Sequence, residues 1–196
     1  MAAGIVVAKQ GTATLTPREL IHSLEQLDAP RAPPSLPAFL SRKELVDYAN
    51  QARAKGKRIG FTNGVFDIIH PGHISVLNFA KNECDHLIVG INSDRSVRNL
   101  NKGAGRPINS QDDRAIVISS LSCVDAVTIF DEETPKEVIE AICPDVLIKG
   151  ADYSVSEVVG SDFVKSYGGA VKLAPIVSGK SSSNIITRMK SVWTKE

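Results

Sequence analysis

His70 and His73 are the residues whose types and spacing most directly imply chemistry. They flank Pro71 and Gly72 in the stretch Phe61-Thr-Asn-Gly-Val-Phe-Asp-Ile-Ile-His-Pro-Gly-His73. An imidazole donates a hydrogen bond when neutral and two when charged, so a pair can grip an anion. Residues three apart on a helix share a face, so both rings can reach one phosphate. The flanks supply that helix. Residues 57–62 form a short apolar run behind Lys57 and Arg58, which predicts a buried strand. After the histidines, Ile74, Leu77 and Cys84 recur near helical spacing, with Val76 and Ala80 four apart. Pro71 suits the first helical turn, where its missing N–H leaves nothing unpaired. The predicted unit is a strand, a turn, and a helix whose N-terminus offers free N–H groups and a positive dipole end to phosphate. Gly64 and Gly72 permit close backbone approach. The plainer alternative is a turn carrying two solvated histidines.

Further candidates punctuate the rest of the chain. Gly90-Ile-Asn-Ser-Asp94 ends a predicted strand, and Asn-Ser-Asp is also ordinary turn and helix-cap chemistry. Asn101-Lys-Gly-Ala-Gly-Arg-Pro107 reads as a basic loop from which Lys102 and Arg106 reach triphosphate oxygens, or simply as solvated charge. Arg114 opens a helix, where an ion pair with Asp112 or Asp113 is the bland reading. Lys149 ends a strand and can hold phosphate as a point charge. Ser181-Ser-Ser183 is a phosphate-gripping run or a serine helix cap. Two look-alikes fail. Gly103-Ala-Gly-Arg-Pro-Ile108 lacks the third glycine of a dinucleotide fingerprint, and Gly179-Lys-Ser181 lacks the upstream glycine of a Walker loop because position 174 is alanine.

The elements that must position these residues alternate. Ser41-Arg-Lys-Glu44 is a capping box opening a helix to about residue 55, with Leu45, Tyr48 and Ala49 inward. Strands are predicted over 86–91, 126–130, 146–149 and 170–174. Helices are predicted over 110–121, with Ala115, Ile116 and Ile118 as the apolar face, from a Thr134 cap to 142, and over 161–167 and 183–192. Strand–helix alternation implies an α/β fold, a doubly wound parallel sheet of about five strands, with ligands beyond the C-terminal strand ends.

Ahead of that domain, residues 1–40 read as an arm: an apolar run at 3–8, a helix at 16–24 capped by Thr16, and a proline-rich linker at 29–37. The expected boundary places the arm at 1–40 and the domain at 41–196. The formal net charge of +1 gives no basic field, which excludes bulk nucleic-acid binding. Cys84, Cys123 and Cys143 are scattered and lack metal-ligand spacing, pointing to reduced thiols in a cytoplasmic setting and assigning no residue to a metal. No run reaches membrane-spanning length and no signal peptide is evident, so no membrane partner is expected.

His70-Pro-Gly-His73 resembles the HxGH motif of the nucleotidyltransferase superfamily, and Thr62-Asn-Gly-Val-Phe-Asp67 resembles the segment preceding it in cytidylyltransferase-like members. Gly90-Ile-Asn-Ser-Asp94, the Gly-Arg-Pro-Ile108 loop, Lys149-Gly-Ala-Asp-Tyr153 and the serine run extend the likeness, which covers residues 41–196 and is strongest to heptose 1-phosphate adenylyltransferases. The resemblance implies a Rossmann-like sheet and attack of a sugar 1-phosphate on the α-phosphorus of ATP, with Mg²⁺ and release of pyrophosphate. It implies catalytic roles for His70, His73, Lys102, Arg114 and Lys149. It places Thr62, Asn63, Gly64, Phe66, Asp67, Gly90, Asn92, Asp94, Arg106, Gly150, Asp152, Tyr153, Ser181, Ser182 and Ser183 at the nucleotide. Lys180 departs from the family, which often carries a hydrophobic or aromatic residue there. Residues 2–14 resemble the end of a ribokinase-like sugar kinase that bifunctional relatives carry upstream, so a heptose kinase is an expected partner. Relatives are commonly dimers or higher oligomers, so the resemblance implies a homodimer or larger assembly. Base choice stays open, with a CTP- or GTP-dependent transferase such as a glycerol-3-phosphate cytidylyltransferase, or a nucleotide-binding module without turnover, as alternatives.

Overall fold

A computed structural model describes residues 39–100, 105–151, 154–175, 179 and 181–193; these fall within the unit Leu36–Glu196. The readings made for the arm, for Lys102, for Asp152 and Tyr153, and for Lys180 lie outside the described residues.

The first helix, α1 (Arg42–Ala54), starts as predicted at a capping box between Ser41 and Glu44. It is followed by β1 (Ile59–Gly64), α2 (Pro71–Asn82), β2 (His86–Asn92), α3 (Asp94–Asn99), α4 (Gln111–Ser119), β3 (Ala126–Phe130), α5 (Lys136–Ile142) and β4 (Val146–Gly150). A 3₁₀ turn at Val155–Glu157 leads to α6 (Ser161–Ser166), β5 (Ala170–Ala174) and α7 (Ser182–Trp193). The five strands pair in parallel in the order β3-β2-β1-β4-β5.

Two local expectations are corrected and one helix is added. Thr134 does not cap α5; the N-cap is Pro135, whose ring leaves no side chain to bond the free N–H groups. The six-residue helix α3 is too short to show an apolar period in the sequence, although its Ser93 cap stands there. On α4, Ala115 and Ile118 are buried but Ile116 faces outward.

Alternation along the strands builds a core on each face. Phe61, Ile88 and Leu147 point to one side, where Leu45 and Ala49 of α1 and Val138, Ile139 and Ile142 of α5 cover them. Leu87, Val89, Ile91, Val146 and Ile148 point to the other, under Leu77 and Ala80 of α2 and Ala115 and Ile118 of α4. Strands buried on both faces read as continuous apolar runs, which is what the sequence showed. Arg53 fastens α1 to the end of α5 by donating to the carbonyls of Ile142 and Cys143.

The order of pairing fixes where a ligand can enter. From β1 the chain builds outward through β2 and β3, then returns to β1's other side with β4 and β5. β1 pairs β2 along its whole length, Ile59↔His86 through Gly64↔Ile91. It pairs β4 only at Gly60↔Val146 and Phe61↔Leu147. Beyond Phe61 the two strands part, and this opening is the switch-point crevice in which α/β sheets bind ligands. Among the described residues no helix is long and apolar enough to cross a membrane.

Candidate active site

The histidines sit where local chemistry put them. His70 is the extended N-cap of α2, Pro71 occupies the first turn, and the His70 carbonyl accepts from the His73 N–H at 2.9 Å. The rings stack, with centroids 3.8 Å apart and planes 23° from parallel. The Phe66 ring lies 5.2 Å from that of His73, tilted by 58°. The His70 Nδ1 is buried without a hydrogen bond among the described residues, and burial lowers the pKa of its ring below the usual 6.5. The ring therefore keeps one hydrogen-bonding position unsatisfied at a helix N-terminus.

Lys149 comes from the end of β4 and spans the opening beside β1. Its Nζ donates to Asn63 O at 3.0 Å and to Asn63 Oδ1 at 2.7 Å. It therefore stands at the crevice mouth, where the β1–β4 ladder has stopped. Ser182 donates to Ile68 O at 3.1 Å, fixing the start of α7 beside the loop that leads into the histidines. Ser181 caps α7 by accepting from Asn184 N at 3.1 Å, and Ser183 is exposed. A cleft of about 150 Å³ lies between the two helix starts, bounded by His70, Pro71, Gly179, Ser181, Asn184, Ile185 and Arg188.

The residues on the opposite flank, toward α4, are held by the protein itself. Asp67 is fully buried and accepts from Arg106 Nε at 2.9 Å, Ile108 N at 2.8 Å and Asn109 N at 2.9 Å. Arg106 is thus neither solvated nor extended toward a triphosphate; Asp67 draws it inward. Arg114 is likewise buried, and its partner is not Asp112 or Asp113. It donates to Asp94 at 2.7 Å, Val65 O at 2.6 Å and Asn109 O at 3.1 Å. The helix-surface ion pair is excluded because the guanidinium points into the domain, where only a carboxylate from another element can reach it.

The remaining expected residues line strand ends or the core. Thr62 is buried in β1, and Asn92 is buried with its Nδ2 bonded to Ser96 at 3.0 Å. Gly90 has a packing reason for its size: a Cβ there would lie 2.8 Å from the Phe61 ring. A Cβ on Gly64 would press on Phe66 at 3.1 Å, so this glycine makes room for the ring that backs His73. Gly150 closes β4 opposite Ala174. Asn184 and Arg188, beyond the serine run, also border the cleft. Their signal was available, because Ser181, Asn184 and Arg188 follow the spacing of one helical face.

A model of the cytidylyltransferase-like family matches residues 61–188, from β1 into α7. The chain is 50% identical, over 96% of its own length, to a protein of Paramagnetospirillum magneticum named bifunctional protein HldE. It is 48% identical over 97% to the protein of that name from Caulobacter vibrioides, and 46% identical over its full length to that of Trichlorobacter lovleyi. It spans only 38–39% of these relatives. Among solved structures, a lipopolysaccharide core biosynthesis protein from Thermoplasma volcanium superposes with a TM-score of 0.53 at 29% identity, covering 64% of this chain and all of the other. A pantoate–β-alanine ligase from Francisella tularensis shares the fold at 18% identity, with a TM-score of 0.52 over 80% of this chain and 78% of the ligase.

Proposed function

Because the chain belongs to the cytidylyltransferase-like family, we propose that it transfers AMP from ATP to D-glycero-β-D-manno-heptose 1-phosphate, giving ADP-heptose and pyrophosphate. The observation that carries this reading is the stacked His70–His73 pair at the N-terminus of α2, beside the opening that Lys149 spans. The name shared by the curated relatives supports the heptose substrate, as does the lipopolysaccharide role named for the Thermoplasma protein.

An acceptor phosphate oxygen attacks the α-phosphorus. A new P–O bond forms, the bond to the β-bridging oxygen breaks, and pyrophosphate leaves with that electron pair. A phosphate is already nucleophilic, so no strong base is needed; the protein's task is alignment and charge neutralisation. His70 and His73 donate to the α- and β-phosphates, Lys149 supplies fixed positive charge, and the hydroxyls and N–H groups at the start of α7 hold the remaining oxygens. The same reading assigns Lys102, Asp152 and Tyr153 to the nucleotide.

Among the described residues no group of three or more His, Cys, Asp or Glu side chains forms a metal cage. The Asp67 carboxylate is occupied by Arg106 and two backbone N–H groups. Mg²⁺, carried by the nucleotide's phosphates, would supply charge neutralisation there. The thiols are unpaired, burial pushes that of Cys84 up to about 11, and the protein is assigned to the cytoplasm. Residues 1–40 are assigned to an arm toward a heptose kinase, and the protein to a homodimer or larger assembly.

Pyrophosphate release, measured with Mg²⁺, heptose 1-phosphate and ATP, CTP or GTP in turn, tests the proposal. Release with ATP that His73→Ala abolishes supports it. Release with CTP or GTP alone changes the nucleotide, and no release with any of them overturns it.

A further inference from the structure

The resemblance gives Arg114 a phosphate to approach, yet its guanidinium is buried and all three nitrogens already donate within the protein. To reach a ligand it would have to abandon Asp94, Val65 O and Asn109 O, leaving buried acceptors unpaired. What it holds is informative. Val65 precedes Phe66, whose φ of 52° is a left-handed conformation that a bulky aromatic keeps only under restraint. That turn places the Phe66 ring 5.2 Å from His73, which stacks at 3.8 Å on His70. The turn is clamped on both sides: Arg114 holds the Val65 carbonyl, and the loop at 106–109 holds Asp67. Asp94, from the start of α3, supplies the carboxylate that neutralises and orients the guanidinium.

We infer that Asp94 and Arg114 are positioning residues that act through the Val65–Phe66 turn to orient His73, and do not touch the substrate. The inference rests on the proposed role of the histidines in nucleotidyl transfer. It assigns the α4 arginine to the histidines rather than to the phosphates.

Asp94→Asn is the first variant, because it keeps an acceptor oxygen and removes the charge; Arg114→Lys is the second. The substrate-free protein is read by NMR of the imidazole ring protons. In both variants the His73 signal shifts while that of His86, bonded to Tyr48 at 2.6 Å at the other end of β2, stays in place. An unmoved His73 signal overturns the inference, and this readout holds whether or not the protein turns over heptose 1-phosphate. In steady state, kcat falls about 10- to 100-fold, the scale of a misaligned group, with KM for ATP within about 2-fold. A raised KM with kcat preserved marks direct phosphate contact and overturns it. In a His73→Ala background, Asp94→Asn costs no more than about 2-fold, since the ring it positions is gone; a fully additive loss also overturns it. Arg95→Ala, which removes an exposed pair with Asp131 at 3.2 Å, serves as the unchanged control. If the wild-type protein releases no pyrophosphate, the functional reading fails separately, and the ring signals still decide the positioning claim.

Discussion

Toward α4, the charged groups beside the histidines are committed to one another. Asp67 with Arg106, and Asp94 with Arg114, form buried pairs joined through Asn109, whose N–H bonds Asp67 and whose carbonyl accepts from Arg114. Toward α7, His70, Ser181, Asn184 and Arg188 border a cleft. The His70 Nδ1 is buried without a hydrogen bond among the described residues, Ser183 is exposed, and Arg188 is exposed with no ion pair among the described residues. On the α4 side the charged groups satisfy one another within the fold, whereas on the α7 side His70 Nδ1 and Arg188 have no such partner among the described residues.

The largest effects should separate the flanks most sharply. His73→Ala is expected to lower kcat by about 100- to 1000-fold, the scale for removing one donor to a developing charge, while denaturant unfolding shows little change. Arg114→Leu should do the reverse in stability: stranding Asp94 and the Val65 carbonyl is expected to cost about 3–5 kcal/mol, read by the urea midpoint. If Arg114→Leu leaves that midpoint unmoved, the α4 flank is not the brace its burial implies.

Arg188→Ala tests the open flank more gently. Because this side chain is exposed, stability should hold, and KM for one phosphate-bearing substrate should rise about 10-fold, equivalent to about 1.4 kcal/mol. An unchanged KM for both substrates would make Arg188 a solvated helix charge.

The smallest effect is a titration. Burial lowers the His70 pKa, so between that value and about 6.5 the unfolded chain binds the extra proton and the folded chain does not. Stability is therefore fully present above about 6.5 and declines as pH falls through that window. Its NMR midpoint should lie below 6.5 in the free protein and move upward when inorganic tripolyphosphate binds, since a nearby anion favours the charged ring. A midpoint at or above 6.5 in the free protein would remove the case for a desolvated donor.

What the sequence determined by itself was local or periodic. The capping box at Ser41–Glu44, Pro71 in the first turn of α2, and the apolar runs of the strands each encode their conformation within a few residues, because capping, proline geometry and burial periodicity act over one or two turns. The placement of the histidine pair between strand and helix followed from that. Only the tertiary structure decided which charges meet. Arg114 lies beside Asp112 and Asp113 in sequence but pairs with Asp94, and Arg106 in a glycine-containing loop pairs with Asp67. A long cationic side chain chooses its partner by where burial removes water and where a carboxylate can reach it, and neither is set by spacing along the chain. The early end of the β1–β4 ladder is of the same kind, since it depends on how two strands distant in sequence diverge once the helices are packed.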